Sequence, residues 1–308
     1  MWLVYAIITF FAWGAADLFY KKGNSAKEQF SHIKTAVLVG FVMGVTACIT
    51  LLTKHISYNP RNLLIYAPVS AMYILSMVVG YFGLRYLAVS ISSPIQNASG
   101  AVSAVLLMLF LWRLPTATQM VCIFLVTAGV LILGIIERQK ELKLNTTETQ
   151  YHRGFAAVLI PVVYCFIDSL GTFLDGWYLD SADTSPLLGV TESTLEDTAN
   201  ISYQLTFFLV ALLFLAYLLV IKKEVLHFPE QKDRLIAALL ETGGQLSYVY
   251  ALSGNGIVAA PVISSYCVGS LLLGRIILKE KLSNKQYFAV ILVLVGIVLL
   301  GIEESIAA

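Results

Sequence analysis

Charge is what this sequence has least of: only 13% of its 308 residues are Asp, Glu, Lys or Arg, against roughly 25% in a soluble domain. A chain that is also 58% hydrophobic cannot cover a globule with water-compatible surface, which excludes a soluble enzyme or binding domain. The formal net charge of +1 excludes a strongly basic nucleic-acid surface. Cysteine is scarce as well. Cys48, Cys122, Cys165 and Cys267 are scattered through apolar runs, so they suit neither a metal site nor an extracellular disulfide framework and read as small packing residues. His32, His55, His152 and His227 all fall in connections and form no ligand pair. Neither a nucleophile elbow nor a phosphate-binding glycine loop occurs. No metal, cofactor or ATP hydrolysis is therefore expected.

What the chain has in abundance is long apolar runs. A bilayer core about 30 Å thick needs about 20 apolar residues per helix, and such runs follow one another with only short polar breaks. They predict helices over Trp2 to Tyr20, Ile33 to Thr53, Leu63 to Tyr86, Pro94 to Trp112, Thr118 to Ile136, Gly154 to Leu174, Ile201 to Ile221, Leu235 to Leu252, Pro261 to Leu278 and Lys285 to Ile302. A secretory signal would place basic residues before the first run. Asp17, Lys21 and Lys22 come after it, so it reads as a retained first helix. The expected fold class is an all-α membrane protein of ten transmembrane helices.

Lys and Arg concentrate in cytoplasmic connections. The odd-numbered connections hold nearly all of them, from Lys21, Lys22, Lys27 and Lys34 to Lys279, Lys281 and Lys285, whereas the even-numbered ones hold essentially Lys54, Arg61 and Arg113. The longest connection, Asp175 to Asn200, carries six acidic residues (Asp175, Asp180, Asp183, Glu192, Glu196 and Asp197) and no basic one. Both chain ends are therefore expected outside the cell.

Sliding the sequence on itself by 167 residues brings Tyr81 to Val126 onto Tyr248 to Val293 without a gap, so that Pro94 meets Pro261, Ser103 meets Ser270 and Gln119 meets Gln286. The segment from Gly129 to Ile135 meets that from Gly296 to Ile302 in the same register. Asp17 and Asp168 form a looser pair, each after an aromatic and small-residue run. Five helices per unit is an odd number, so the second unit enters the membrane upside down, the inverted repeat found in secondary transporters. The expected units are residues 1–137 and 154–308, joined by a central cytoplasmic connection over 138–153.

Several stretches carry a family resemblance: FAWGAAD in the first helix, YFGLRYLAVSISSPIQ and YVYALSGNGIVAAPVIS before helices 4 and 9, and LKEKLSNKQYFAVILVLVGIVLLG near the end. In order and spacing the chain resembles the drug/metabolite transporter superfamily, in particular its ten-helix bacterial transporters with two EamA-type domains. That resemblance implies a substrate cavity between the halves, location in the bacterial cell membrane, and export or exchange of amino acids, drugs or other metabolites, frequently with proton coupling. Two features depart from the family pattern. Trp112, Arg113 and Leu114 replace the glycine-glutamate turn seen as Lys279, Glu280 and Lys281 in the second half, and the acidic connection after helix 6 is long. The family is also generally described with both ends in the cytoplasm, opposite to the loop tally.

A carboxylate at bilayer depth is costly, so each one inside a span is a functional candidate. Glu241 lies nearest the centre of its helix, with Thr242, Gln245 and Ser247 nearby and Gly243 and Gly244 permitting close backbone approach. It suits a group that holds a proton in one state and a cation or donor in another. Retention purely for packing specificity is the competing reading. Asp168 follows Pro161 by seven residues, and an internal proline frees a carbonyl and bends the axis. Asp17 lies four residues before Lys21, on one helix face with it, so a coupling site and a surface ion pair both stand open.

Trp13, Tyr164, Tyr81, Tyr248 and Tyr250 cluster near these acids, and aromatic faces attract organic cations. Pro94 and Pro261 suit first helical positions, which would present free amide donors beside Gln96 and Asn97, or beside Ser264. Arg275 shares a face with Lys279 and is expected to snorkel to the interface. The expected function is secondary transport of a small molecule across the lipid bilayer, with protons as candidate coupling partners, no nucleic acid, and one chain sufficient to enclose a pathway. An intramembrane enzyme or an uncoupled channel or exchanger is the alternative.

Overall fold

The computed structural model describes residues 1–23, 28–83, 95–144, 155–226, 231–277 and 282–307. Pro94, Lys279 to Lys281 and most of the central connection lie outside them. Among the described residues the chain forms ten helices and no strand, as hydrocarbon demands: a backbone without water satisfies its polar groups inside a helix. They are α1 (Trp2–Gly23), α2 (Ser31–Lys54), α3 (Arg61–Gly83), α4 (Ile95–Leu111), α5 (Ala117–Leu144), α6 (Phe155–Tyr178), α7 (Leu195–Ala216, extended by a π-helical turn Tyr217–Lys222), α8 (Lys232–Ser264), α9 (Tyr266–Ile277) and α10 (Asn284–Ala307). Eight are long and apolar enough to cross a membrane; α4 and α9 are shorter.

Local chemistry sets the ends. Thr116 and Gln119 form a reciprocal capping box at the start of α5, each accepting the other's backbone N–H at 3.1 Å. Ser283 and Gln286 do the same for α10, at 2.7 and 3.3 Å. The two boxes are 167 residues apart, the offset of the sequence repeat. His55 (φ 49), Trp112 (φ 53) and Lys223 (φ 55) end α2, α4 and the π-turn in the left-handed conformation, a common helix stop.

At 33 residues, α8 would be about 50 Å long if straight, well beyond a 30 Å core. A kink at Asn255 (φ −165, ψ 79) divides it, and the limb 256–264 leads across Ser265 into α9. Pro261 therefore does not start a helix as its sequence position suggested; it sits inside the second limb, four residues before the break at Ser265. The helix α4 breaks at Ala98, again 167 residues earlier. The same short bond spans both breaks, Ala101 N–H to Ala98 O at 3.2 Å and Val268 N–H to Ser265 O at 2.8 Å.

Packing repeats the internal symmetry. The pairs α1·α8, α1·α9 and α2·α8 have counterparts in α6·α3, α6·α4 and α7·α3, while α2·α7 and α5·α10 are their own images under exchange of helix n with helix n + 5. Small residues let these backbones close up. A methyl group on Gly129 would stand 2.6 Å from Val293 and 2.9 Å from the Ala289 carbonyl oxygen; one on Gly296 would stand 2.9 Å from Val126 and 3.2 Å from the Cys122 carbonyl oxygen. Every partner in that reciprocal contact is again displaced by 167.

The chain ends share one face, here called the terminal face, where the Met1 amino group meets Glu304 at 2.6 Å. The helix α6 runs on to Tyr178, so Asp175 is not a loop residue: it is fully buried, in the last turns of α6. Glu196 and Asp197 likewise belong to the first turn of α7, where Asp197 pairs with Lys54 at 2.6 Å. His32 falls in the first turn of α2 rather than in a connection. At the opposite face Glu28 bridges Lys34, at 2.8 Å, and Arg234. Lys34 also reaches Glu224 at 3.1 Å, and Arg234 donates to the Gly23 carbonyl at 2.8 Å.

Candidate functional site

Helical spacing assembles the site. A residue every third or fourth position shares one face of a helix, and the stripes Trp13, Asp17, Tyr20 on α1, Tyr73, Met77, Gly80, Tyr81 on α3, Tyr164, Asp168, Thr172 on α6 and Glu241, Gln245, Tyr248 on α8 all line one central cavity. Gln96, Asn97 and Ser99 at the α4 break, and Ser264 and Tyr266 at the α8–α9 break, complete its wall. Both helix interruptions thus stand beside the cavity, where irregular backbone at membrane depth is tolerated. The cavity measures ≈ 90 Å³ to the centre of a water-sized sphere, several times the roughly 10–15 Å³ that one water needs.

Asp17, Asp168 and Glu241 all face this space and are half-buried. Ser270 on α9 donates to Asp17 at 3.1 Å. Ser99 on α4 and Ser76 on α3 donate to Asp168 at 2.7 and 3.2 Å. Asp17 and Lys21 form no ion pair; the serine contact and the cavity face settle where its side chain lies. Glu241 is placed by its backbone: the Trp13 indole N–H donates to its carbonyl oxygen at 3.2 Å, and Thr9 donates to that of Gly244 at 3.1 Å. Nine residues into α8, it lies about 14 Å along the helix from its start.

The halves differ at this acid. Gly80 receives the Tyr164 ring and Gly244 receives the Trp13 indole, each within 2.9 Å of where a Cβ would sit. These ring contacts set Gly80 against Gly244 and Met77 against Glu241, and the 167-residue offset sets Ile74 against Glu241, so by either match Glu241 is an acid whose counterpart is apolar, whereas Asp17 and Asp168 each follow the ring in that contact by four residues on α1 and α6.

Toward the terminal face, Tyr73 and Tyr248 meet through their hydroxyls at 2.5 Å, and each hydroxyl lies 3.1 Å from that of Thr172. Beyond them, Tyr66 donates to the buried Asp175. Toward the opposite face, the rings of Tyr20 and Tyr81 lie 5.0 Å apart.

The cavity brings together all the polar and aromatic residues expected there except Tyr250. Its hydroxyl donates to Asp197 at 2.5 Å and accepts from Lys54 at 3.1 Å, while its ring stacks on Tyr5. Two residues past Tyr248 is about 200° around a helix, which turns it to the other side. The residues sequence reasoning missed, Tyr20, Tyr73, Met77, Ser99, Thr172, Tyr203 and Tyr266, include several that the stripe rule reaches: Tyr20 is seven residues after Trp13, and Thr172 four after Asp168. Arg275 lies in the last turn of α9, away from the lining.

Among the described residues, eight membrane-length helices and two shorter apolar ones around an acid-lined internal cavity define a multi-pass membrane protein. The EamA-like transporter family matches residues 1–135 and 193–302, and the chain belongs to that family. Residues 136–192, with α6 and its Asp168, lie between the matched regions. No curated protein matches the chain. A solved structure described as "Crystal structure of protein" is similar at a TM-score of 0.68 and 10% identity, over 97% of this chain and 95% of that one; the likeness is one of fold.

Proposed function

We propose that the protein is a secondary transporter that carries a small organic solute by alternating access around the central cavity, with Glu241 holding the coupling proton. The observation that carries this reading is the convergence of three carboxylates, from α1, α6 and α8, on one cavity at membrane depth. Intramembrane acids mark substrate and proton pathways, and broken helices beside a midplane site are a transporter device. Glu241 is the choice for the proton because it is the acid without a counterpart in the other half. The two five-helix units, 1–137 and 154–308, would rock against each other across the connection 138–153, and one chain suffices.

In this reading the protein sits in the bacterial cell membrane with both ends outside, as the Lys and Arg distribution favours. A cysteine added at the C terminus should react with an impermeant reagent in intact cells; reaction only after lysis reverses the orientation. The central test uses proteoliposomes containing a pH-sensitive dye, with solute-driven proton movement recorded for the native protein and Glu241→Gln. Proton movement lost in the variant, with solute counterflow retained, is the expected result. Saturable counterflow without proton movement in either protein identifies an uncoupled exchanger.

A further inference from the structure

We infer that Arg113 and Asp180 form the latch of the terminal face, an ion pair that holds the two halves together across the way out of the central cavity and has to part before solute leaves on that side. The inference rests on the transport reading above and adds a gate to its path. Both are positioning residues, for neither lines the central cavity.

The path outward follows two helices in steps of four residues, the spacing of one helix face. Thr172 and Gly176 lead along α6 to Asp180, and Tyr248 and Leu252 lead along α8 to Gly256. The two series start together at the cavity, where Thr172 and Tyr248 meet Tyr73. One turn further out the buried Leu107 of α4 plugs the gap: a methyl group on Gly176 would stand 3.0 Å from its side chain, and one on Gly256 would stand 3.4 Å from it. Beyond this plug lies a second cavity of ≈ 360 Å³, with Leu111, Arg113 and Gln119 of the first half on one wall and Gly176, Asp180 and Asn255 of the second half on the other. Arg113 joins the walls, its Nη1 2.5 Å from Asp180 Oδ1 and its Nη2 3.1 Å from Oδ2.

Local structure presents both partners. Trp112 ends α4 in the left-handed conformation (φ 53), and Arg113 follows it directly. Asp180 stands two residues past the end of α6, in a connection folded on itself by the Ala182 N–H, which donates to Glu192 at 2.8 Å. Exposed ion pairs contribute little when two long side chains must be held still. Here only the arginine is exposed, at 63%; the aspartate is 14% exposed, and both its oxygens are engaged in the two-pronged geometry that makes an arginine bond strong and directional.

The latch belongs to one face. Arg113 and Asp180 come from the two stretches that depart from the family pattern, the Trp112 to Leu114 turn and the long acidic connection, and the offset of 167 sets Glu280, of opposite charge, at the place of Arg113. Since α4 packs on α6 as α9 packs on α1, halves that traded shapes would trade these two contacts, and a bond from the end of α4 to the end of α6 would not last the cycle. Lys54 and Asp197 instead tie α2 to α7, a pair that is its own image and would stay closed.

The test reads access to the plug. A charged thiol reagent is applied to the full-length protein in nanodiscs carrying Leu252→Cys or, in the other half, Leu107→Cys, sites 2% and 0% exposed, with the labelling of protein lacking the added cysteine subtracted. Arg113→Gln and Asp180→Asn should each speed labelling by about fivefold, the upper worth of an exposed pair, and Arg113→Asp combined with Asp180→Arg should restore the slow rate. Added salt should speed labelling where the pair is native, because exposed charges are screened, and leave the Arg113→Gln rate unchanged. Unchanged labelling in the single variants at both sites, or a reversed pair that labels as fast as they do, overturns the inference. Counterflow of amino acids and amines is measured in proteoliposomes alongside. Saturable counterflow with unchanged labelling would remove the latch and leave the transport reading intact, whereas faster labelling of a protein that moves neither class would sustain the latch and count against transport.

Discussion

Tyr73 on α3 and Tyr248 on α8 join hydroxyls at 2.5 Å over the cavity, and both rest on Thr172 of α6. A closed triangle of hydroxyls links helices from both halves, and none of the three side chains is more than 5% exposed. Tyr248→Phe should lower thermal stability in detergent by about 1 kcal/mol, the usual net worth of a hydrogen bond. Tyr73→Phe with Tyr248→Phe should cost less than the sum of the single changes, as neighbours in one network do. Strict additivity in the melting data would show that the triangle does not act as a unit.

Asp175 accepts the Tyr66 hydroxyl where neither side chain meets solvent. Asp175→Ala leaves that hydroxyl buried without its acceptor, at a cost of about 1–3 kcal/mol. Asp175→Asn keeps an acceptor and should retain more of the stability. Equal loss in the two variants, read by melting temperature, would mean the bond contributes little.

Glu28 lies between membrane spans and gives a pH prediction. Burial pushes its carboxyl upward, but hydrogen bonds and charge from Lys34 and Arg234 outweigh that and hold it below its ordinary 4.5. A group depressed in the folded state stabilises the fold above its unfolded value and loses that contribution as pH falls through the folded one. Thermal stability of the native protein should therefore decline as pH drops below about 4.5 more steeply than that of Glu28→Gln. Parallel pH curves would remove Glu28 as a source of the decline.

The glycine pair offers a test of the repeat. Gly129→Ala and Gly296→Ala press on corresponding atoms of α10 and α5, and Gly129 has the tighter fit, 2.6 Å against 2.9 Å to the facing valine. Overpacking costs about 1–3 kcal/mol, so both variants should melt lower, Gly129→Ala by more. The reverse order would contradict the packing.

The sequence carried the helix count and the repeat because both depend on the chain's linear order. The offset of 167 that aligned Gln119 with Gln286 reappears as two capping boxes, two helix breaks and one reciprocal glycine contact. Which side of a helix faces inward depends on neighbours, and there the reading was partial. Glu241, Gln245 and Tyr248 share a stripe with the cavity, while Tyr250, equally close in sequence, faces Lys54 and Asp197. Asp175 reads as a loop acid because the apolar run of helix 6 ends at Leu174; Tyr66, which holds it in the core, is over a hundred positions away. Pro261 looked like a helix start because the kink at Asn255 comes from backbone torsion that composition does not announce.

The reciprocal contact of Gly129 and Gly296 has a mechanical consequence. In the proposed transport cycle, a helix pair that maps onto itself when the halves trade shapes would look the same from either side, so α5 and α10 would keep every contact while α1, α3, α6 and α8 swing. They would then form an axle, with the tightness of two glycines against two valines keeping it from slipping.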